Sequence, residues 1–254
     1  PKNWRPNPLV LAGSPTKRWH LIEFVNNFTQ NKGILSIASV LTQENISHKK
    51  LISIKDHINS YLRKRGVRAL VKVIYSNNAY EGLFQIAQSY GLGALQPNTV
   101  IIGESESTHD KAAYCKMIQS FYQLQKNVLI VHKGSKLKTF GNKAIIDIWW
   151  GGLQGNGGLM MILAYLVNSS LDWRQASLRI KMVVDDESAV EKAAYNISHL
   201  LDEIRIEAQV NILPSNNQSF DQILQNSSAD ADLVFMGLAK PDENFEHYFE
   251  KVQK

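Results

Sequence analysis

The sequence is short of the features that mark a secreted, metal-bound or catalytic protein. A single cysteine, Cys115, stands among its 254 residues. That excludes an intramolecular disulfide framework and a cysteine metal cluster, and it fits a reducing compartment. The longest apolar stretch, Gly157 to Val167, is about half of the roughly 20 residues that span a bilayer. Neither G-x-S-x-G nor H-E-x-x-H occurs, and the histidines at 20, 48, 57, 109, 132, 199 and 247 are scattered. His109-Asp110 is the nearest approach to a catalytic pair, so no enzyme, no metal and no obligatory cofactor is expected. Without a recognised nucleic-acid motif, no nucleic-acid partner is expected either. A signal peptide is also lacking, and the chain reaches strand-like residues almost at once without a Met, which reads as a piece of a longer polypeptide.

Acid is scarce in one half only. Residues 1–143 hold 20 Lys/Arg against 7 Asp/Glu, whereas residues 144–254 hold 8 against 16. The basic half is expected to face an anionic partner such as a membrane surface; alternatively the two surfaces attract each other, within one chain or between chains.

What the chain does have is a repeated alternation. Val/Ile-rich runs at 8–13, 33–41, 68–76, 98–104 and 127–134 predict strands, with helical patterns near 15–29, 47–65, 79–90 and 108–126. On the second of these helices Leu51, Ile54, Ile58, Tyr61 and Leu62 share one face. The pattern restarts with strands at 144–150, 177–184, 207–213 and 231–237, a helix from about Gly157, an acidic helix start at Asp185-Asp186-Glu187 and a short helix near 219–226. Continuous apolar strands, each followed by a helix, predict mostly parallel sheets flanked by helices. The fold class is therefore α/β with two similar lobes, a basic one at 1–143 and an acidic one at 144–254, joined through "HKGSKLKTFGNK" (132–143).

Three stretches are candidates for holding a phosphate. In "IDIWWGGLQGNGGLMMILAYLV" (146–167) the third glycine of G-x-G-x-x-G would fall at Met160, and no Lys-Ser/Thr pair follows. Its glycines are expected to serve a tight turn and close packing. In "LAGSPTKR" (11–18), Ser14 reads as an N-cap with Pro15 at the first helical position, and Lys17 and Arg18 add charge for an anion. The third candidate is the loop after each fourth strand. "TVIIGES" and "DLVFMGL" are similar to the corresponding strand of the universal stress protein fold, whose nucleotide-binding members continue G-x-x-G. Here Gly103 is followed by Glu104, Ser105 and Glu106, and Gly237 by Leu238, Ala239 and Lys240. The second glycine is missing both times, and two carboxylates repel a phosphate. If strands one and four lie side by side, Gly13, Ser14, Gly103 and Ser105 are the contacts expected for an adenine nucleotide. Asp147, inside an apolar strand, must be paired if buried and is expected to accept structural hydrogen bonds; Cys115 is expected in the core.

Three stretches taken together carry a further resemblance. "NWRPNPLVLAG" (3–13), "YGLGALQPNTVIIG" (90–103) and residues 146–167 resemble, in this order, the cytosolic C-terminal region of cation-chloride cotransporters. The compact linkers point to a prokaryotic member. Animal members commonly have an Asp before the Gly-Gly-Leu, where this chain has Asn156. The resemblance implies a non-catalytic regulatory and dimerisation domain on the cytoplasmic side of the plasma membrane. It implies as partners the transmembrane part of the same polypeptide, which moves chloride with sodium or potassium, and a second copy of the chain. The alternative is a stress-protein-like sensor of adenine nucleotides.

Overall fold

The computed structural model of the chain describes residues 5–30, 32–42, 46–104, 111–134, 143–151 and 155–252. It divides into two compact units, Pro1–Gly134 with Ala239–Lys254, and Ser135–Leu238. Both are α/β units built on parallel sheets.

Unit 1 holds β1 (Pro8–Leu11), α1 (Trp19–Thr29), β2 (Ser36–Leu41), α2 (His48–Lys64), β3 (Leu70–Tyr75), α3 (Ala79–Ser89), β4 (Thr99–Gly103), α4 (Lys111–Gln123) and β5 (Asn127–Val131). Its sheet runs β3-β2-β1-β4-β5, all parallel. The strands at its centre are buried on both faces because their side chains alternate between two helical layers. Leu9, Leu11, Val100 and Ile102 join Ile86, Tyr114, Ile118 and Phe121 in one core, while the alternate residues Val10, Ile37 and Ile101 are equally buried. On α1, Leu21, Ile22, Val25 and Phe28 form the inward stripe.

Unit 2 holds β6 (Ile145–Trp149), α5 (Gly157–Asn168), β7 (Ser177–Val184), α6 (Val190–Ile204), β8 (Gln209–Pro214), α7 (Phe220–Ser227) and β9 (Leu233–Phe235). Its parallel sheet runs β8-β7-β6-β9. The order matches β3-β2-β1-β4 strand for strand. A final helix, α8 (Phe245–Val252), follows β9.

The expectation of a second lobe running from 144 to the chain end is corrected at its tail. Residues 239–254 return to unit 1, where Phe245 and Phe249 are buried beside Tyr114 and Cys115. The pull is apolar: Phe245 stacks on Phe249 at 5.6 Å, and Phe249 meets Tyr114 at 5.8 Å. The backbone is held too, since Gln119 Nε2 donates to the Asp242 carbonyl and Tyr248 Oη accepts from the Ala239 N–H. The helix start is corrected as well. Ser14 does not cap α1: Lys17 and Arg18 N–H groups close a turn onto the Ser14 carbonyl, and the helix begins only after Arg18. The Ser14 hydroxyl instead lies 3.1 Å from that of Thr16.

Two of the signature stretches meet at the start of the unit 1 sheet. Asn7 N–H donates to Asn98 Oδ1 (2.9 Å), and Asn98 N–H to the Asn7 carbonyl (3.1 Å). Asn98 Nδ2 reaches the Arg5 carbonyl and Asn7 Nδ2 the Gln96 carbonyl, each at 3.1 Å. The paired asparagines thus clasp the lead-ins of β1 and β4, which lie side by side. Asn98→Ala is expected to cost about 1–3 kcal/mol, because it leaves the partly buried Asn7 N–H and Arg5 carbonyl without these partners. Chemical denaturation measures it; an unchanged midpoint would mean that water replaces the clasp.

Candidate functional site

The unit 1 sheet order places a topological switch between β1 and β4. From these neighbours the chain leaves toward opposite sides, and the crevice beyond their carboxyl ends is the usual ligand position in open α/β sheets. A cavity of about 390 Å³ lies there. The β1–α1 turn contributes Gly13, Ser14, Lys17 and Arg18, and the end of β4 contributes Gly103 and Glu104. Its apolar wall includes Leu11, Val40, Leu83 and Met117.

Gly13 takes a left-handed conformation, φ 61°, that lets the chain turn sharply off β1. At Gly103 the space is tight rather than closed: a Cβ there would come within 3.2 Å of the Arg18 guanidinium, which lies across the end of β4. Tyr114 Oη donates to the Gly103 carbonyl at 2.9 Å, and burial, followed by the Glu104 carboxylate, pushes its phenol well above the ordinary range. Glu104 pairs with His132 at the rim. His20 is held below the usual imidazole value by burial, then by Lys133 and Arg18. The cavity therefore has cations on its β1 side, a carboxylate on its β4 side and an apolar wall.

Of the four contacts expected from the sequence, the fold brings Gly13, Ser14 and Gly103 to this cavity. Ser105 lies outside the described residues, as do His109-Asp110, residues 135–142 of the basic seam and Gly152 to Gln154 of the glycine-rich stretch. Sequence reasoning missed Tyr80 and Tyr114, which also line the cavity. Their helices were expected, but which helix face meets the β1–β4 crevice depends on strand order, which local spacing does not encode.

The corresponding switch point of unit 2, between β6 and β9, is bridged by a side chain. Asn156 Nδ2 donates to the Leu238 carbonyl at 2.6 Å, and a Cβ on Gly237 would come within 3.3 Å of the same nitrogen. Next to it, a Cβ on Gly157 would fall 2.6 Å from the Trp150 ring. Of the described glycines of this stretch, Gly157 thus serves the close packing expected of the loop, whereas a Cβ on Gly151, Gly155 or Gly158 would meet open space.

Asp147 is fully buried on β6 and saturated with donors. Arg179 grips it through Nε (2.6 Å) and Nη2 (2.9 Å), Lys181 Nζ lies at 3.0 Å, and Ser228 Oγ donates at 2.6 Å. Arg179 also reaches Asp230, and these two carboxylates raise its pKa further while Asp230 is held below the usual carboxylate range. Lys181 donates to the Ser227 carbonyl, and Trp149 Nε1 to Ser228 Oγ (3.1 Å). The ladder pairs Asp147 with Arg179, so the network ties β6, β7 and the end of α7 together. It is structural chemistry, as expected for this residue.

The model of solute carrier family 12 matches residues 18–140 and 104–222. The chain belongs to this family. Solute carrier family 12 member 3 of Mus musculus is 25% identical over 251 residues, covering 85% of this chain and 25% of its own length. The chain thus spans about a quarter of that curated relative. Among solved structures, the cytoplasmic domain of a prokaryotic cation chloride cotransporter is similar with a TM-score of 0.66 and 19% identity, over 98% of this chain and 93% of that one. A universal stress protein from Archaeoglobus fulgidus DSM 4304 is similar with a TM-score of 0.58 and 10% identity, over 96% and 89%. These likenesses establish the fold of both units. Among the described residues, no helix is long and apolar enough to cross a membrane.

Proposed function

We propose that the chain is the cytoplasmic domain of a cation-chloride cotransporter, and that it serves dimer assembly and regulation rather than catalysis. The observation that carries this reading is the family match across residues 18–222, joined to a fold shared over nearly the whole chain with the cytoplasmic domain of such a transporter. Its transmembrane partner would be part of the same polypeptide, and it would work on the cytoplasmic side of the plasma membrane. Light scattering over a wide concentration range tests the assembly: a dimer is expected, and a monomer at the highest concentration overturns it. For the transporter as a whole, chloride uptake that requires sodium or potassium is the expected activity, and cation-independent uptake would refute it.

A second reading rests on the unit 1 cavity, whose place and glycines suit an adenine nucleotide held by Gly13, Ser14 and Gly103, with Lys17 and Arg18 toward its phosphates. Glu104 opposes a phosphate there. Calorimetry and thermal denaturation with adenine nucleotides test it: a ligand at a hundred times its dissociation constant stabilises by about 2.7 kcal/mol. Absence of heat and of stabilisation at millimolar ligand removes the reading.

A further inference from the structure

All five strands of the unit 1 sheet are parallel, so all five begin on one edge. The segments leading into them are residues 5–7, 30–35, 62–69, 89–98 and 124–126. Together they carry Arg5, Lys32, Arg63, Lys64, Arg65, Arg68 and Lys126 without one Asp or Glu. The segments leaving the strands are mixed in sign, since Glu44, Glu104, Glu106 and Asp110 fall among them together with Lys17, Arg18, Lys133, Lys136 and Lys138. The segments leading into the strands are thus basic throughout while those leaving carry both signs. Acid comes near the strand-start edge at Asp242-Glu243 of the returning tail, beside Gln119 toward the end of α4.

This edge also displays apolar side chains that the fold does not use. Leu92 is 84% exposed and Leu95 60% exposed, with Leu70 and Ile34 also exposed near the starts of β3 and β2. Leu92 and Leu95 do not belong to a loose loop. They sit on a short 3-10 turn closed by Leu95 N–H to the Leu92 carbonyl and Gln96 N–H to the Gly93 carbonyl. Gly91 (φ 92°) and Gly93 (φ 54°) give the turn its shape, and at Gly91 a Cβ would fall 2.8 Å from the Leu95 carbonyl oxygen. The Asn7–Asn98 clasp then fixes the turn to the sheet. Arg63 and Arg68 line one small hollow beside α2, and both are exposed.

We propose that this strand-start edge of unit 1 docks on an anionic lipid surface, with Leu92 and Leu95 entering the interfacial layer and Lys32, Arg63 and Arg68 facing lipid headgroups. The inference rests on the reading that the chain works beside a bilayer, and it assigns that contact to one edge of one unit. Charge complementarity selects the occupant. Lead-in segments that carry only cations, around apolar side chains held on a closed turn, suit a negative surface with an apolar layer beneath it.

The test is co-sedimentation of the 254-residue chain with phosphatidylcholine vesicles, with and without about 30 mol% phosphatidylserine, at about 50 and about 500 mM salt. Binding is expected only with phosphatidylserine, and it is expected to collapse at high salt. The triple variant Lys32→Gln/Arg63→Gln/Arg68→Gln is expected to bind roughly a hundredfold more weakly, about fivefold per charge. Lys49→Gln/Lys50→Gln/Lys55→Gln removes the same charge from the remainder of α2 and is expected to change binding by less than about fivefold. Leu92→Ser/Leu95→Ser is expected to weaken binding at least tenfold with an unchanged melting temperature, since both side chains are exposed. Equal losses from the two charge triples, or full binding by the leucine variant, overturn the proposal. Loss of self-association in the leucine variant without loss of vesicle binding also overturns it, and gives the leucines to a second copy. A chain that dimerises but ignores anionic vesicles refutes this edge assignment alone, leaving the family and assembly readings intact.

Discussion

Replacing Asp147 with alanine is expected to lower the unfolding free energy of unit 2 by about 3–5 kcal/mol. The carboxylate is fully buried and faces Arg179 and the almost fully buried Lys181. Removing it strands positive charge in a place that water cannot reach, and the desolvation cost is then no longer offset by attraction. Asp230 retains only the outer side of Arg179, at the solvent boundary. Urea titration followed by tryptophan fluorescence measures the loss, since Trp149, Trp150 and Trp173 all belong to this unit. The triple variant Asp147→Leu/Arg179→Met/Lys181→Met removes both signs together, and it is expected to recover most of the stability. A single Asp147→Ala variant as stable as the parent would show that the two cations find solvent without it.

Truncating the final helix contacts is the second large effect. Phe245→Ala and Phe249→Ala are each expected to cost unit 1 about 3–5 kcal/mol, the usual range for a buried phenylalanine. Cys115 supplies a local readout. Its thiol is buried and is pushed above its ordinary pKa by that burial, then by Glu246 and Glu250 of α8. Both influences act against the thiolate, so the parent is expected to react slowly with a disulfide reagent at mildly alkaline pH. Either Phe variant is expected to speed that reaction as α8 lifts away. An unchanged rate, with the fold otherwise intact, would mean that α8 does not protect this thiol.

Much of the fold was legible because it is written in short-range patterns. A continuous run such as "TVIIG" is a buried parallel strand with no need of distant information. The restart of the pattern at 144 announced a second sheet, and the order β8-β7-β6-β9 repeats β3-β2-β1-β4. Two of the three failures involve distance along the chain, and one is local. Helix α8 is short, and its Phe245, Tyr248 and Phe249 at i, i+3 and i+4 were its available signal; that their partner is α4, over a hundred residues earlier, is not encoded locally. The start of α1 was misplaced because Ser-Pro-Thr satisfies capping statistics, while the chain used those residues to close a separate turn. The candidate cavity was half legible. Gly13, Ser14 and Gly103 could be named from loop composition, but Tyr80 and Tyr114 could not be placed until the sheet order was known.

The return of residues 239–254 makes unit 2 an insertion within the chain of unit 1. During synthesis the face of α4 carrying Tyr114 and Cys115 is therefore complete long before the helix that covers it has been made. At about 5–20 residues per second, translating the roughly 120 residues between α4 and α8 leaves this apolar face waiting about 6–24 seconds. Prompt folding of unit 2 replaces a long slack loop with a compact body, which eases the closure that brings α8 home. Variants that slow unit 2 thus prolong the exposure of unit 1, so a lesion in one sheet can send the other into aggregates.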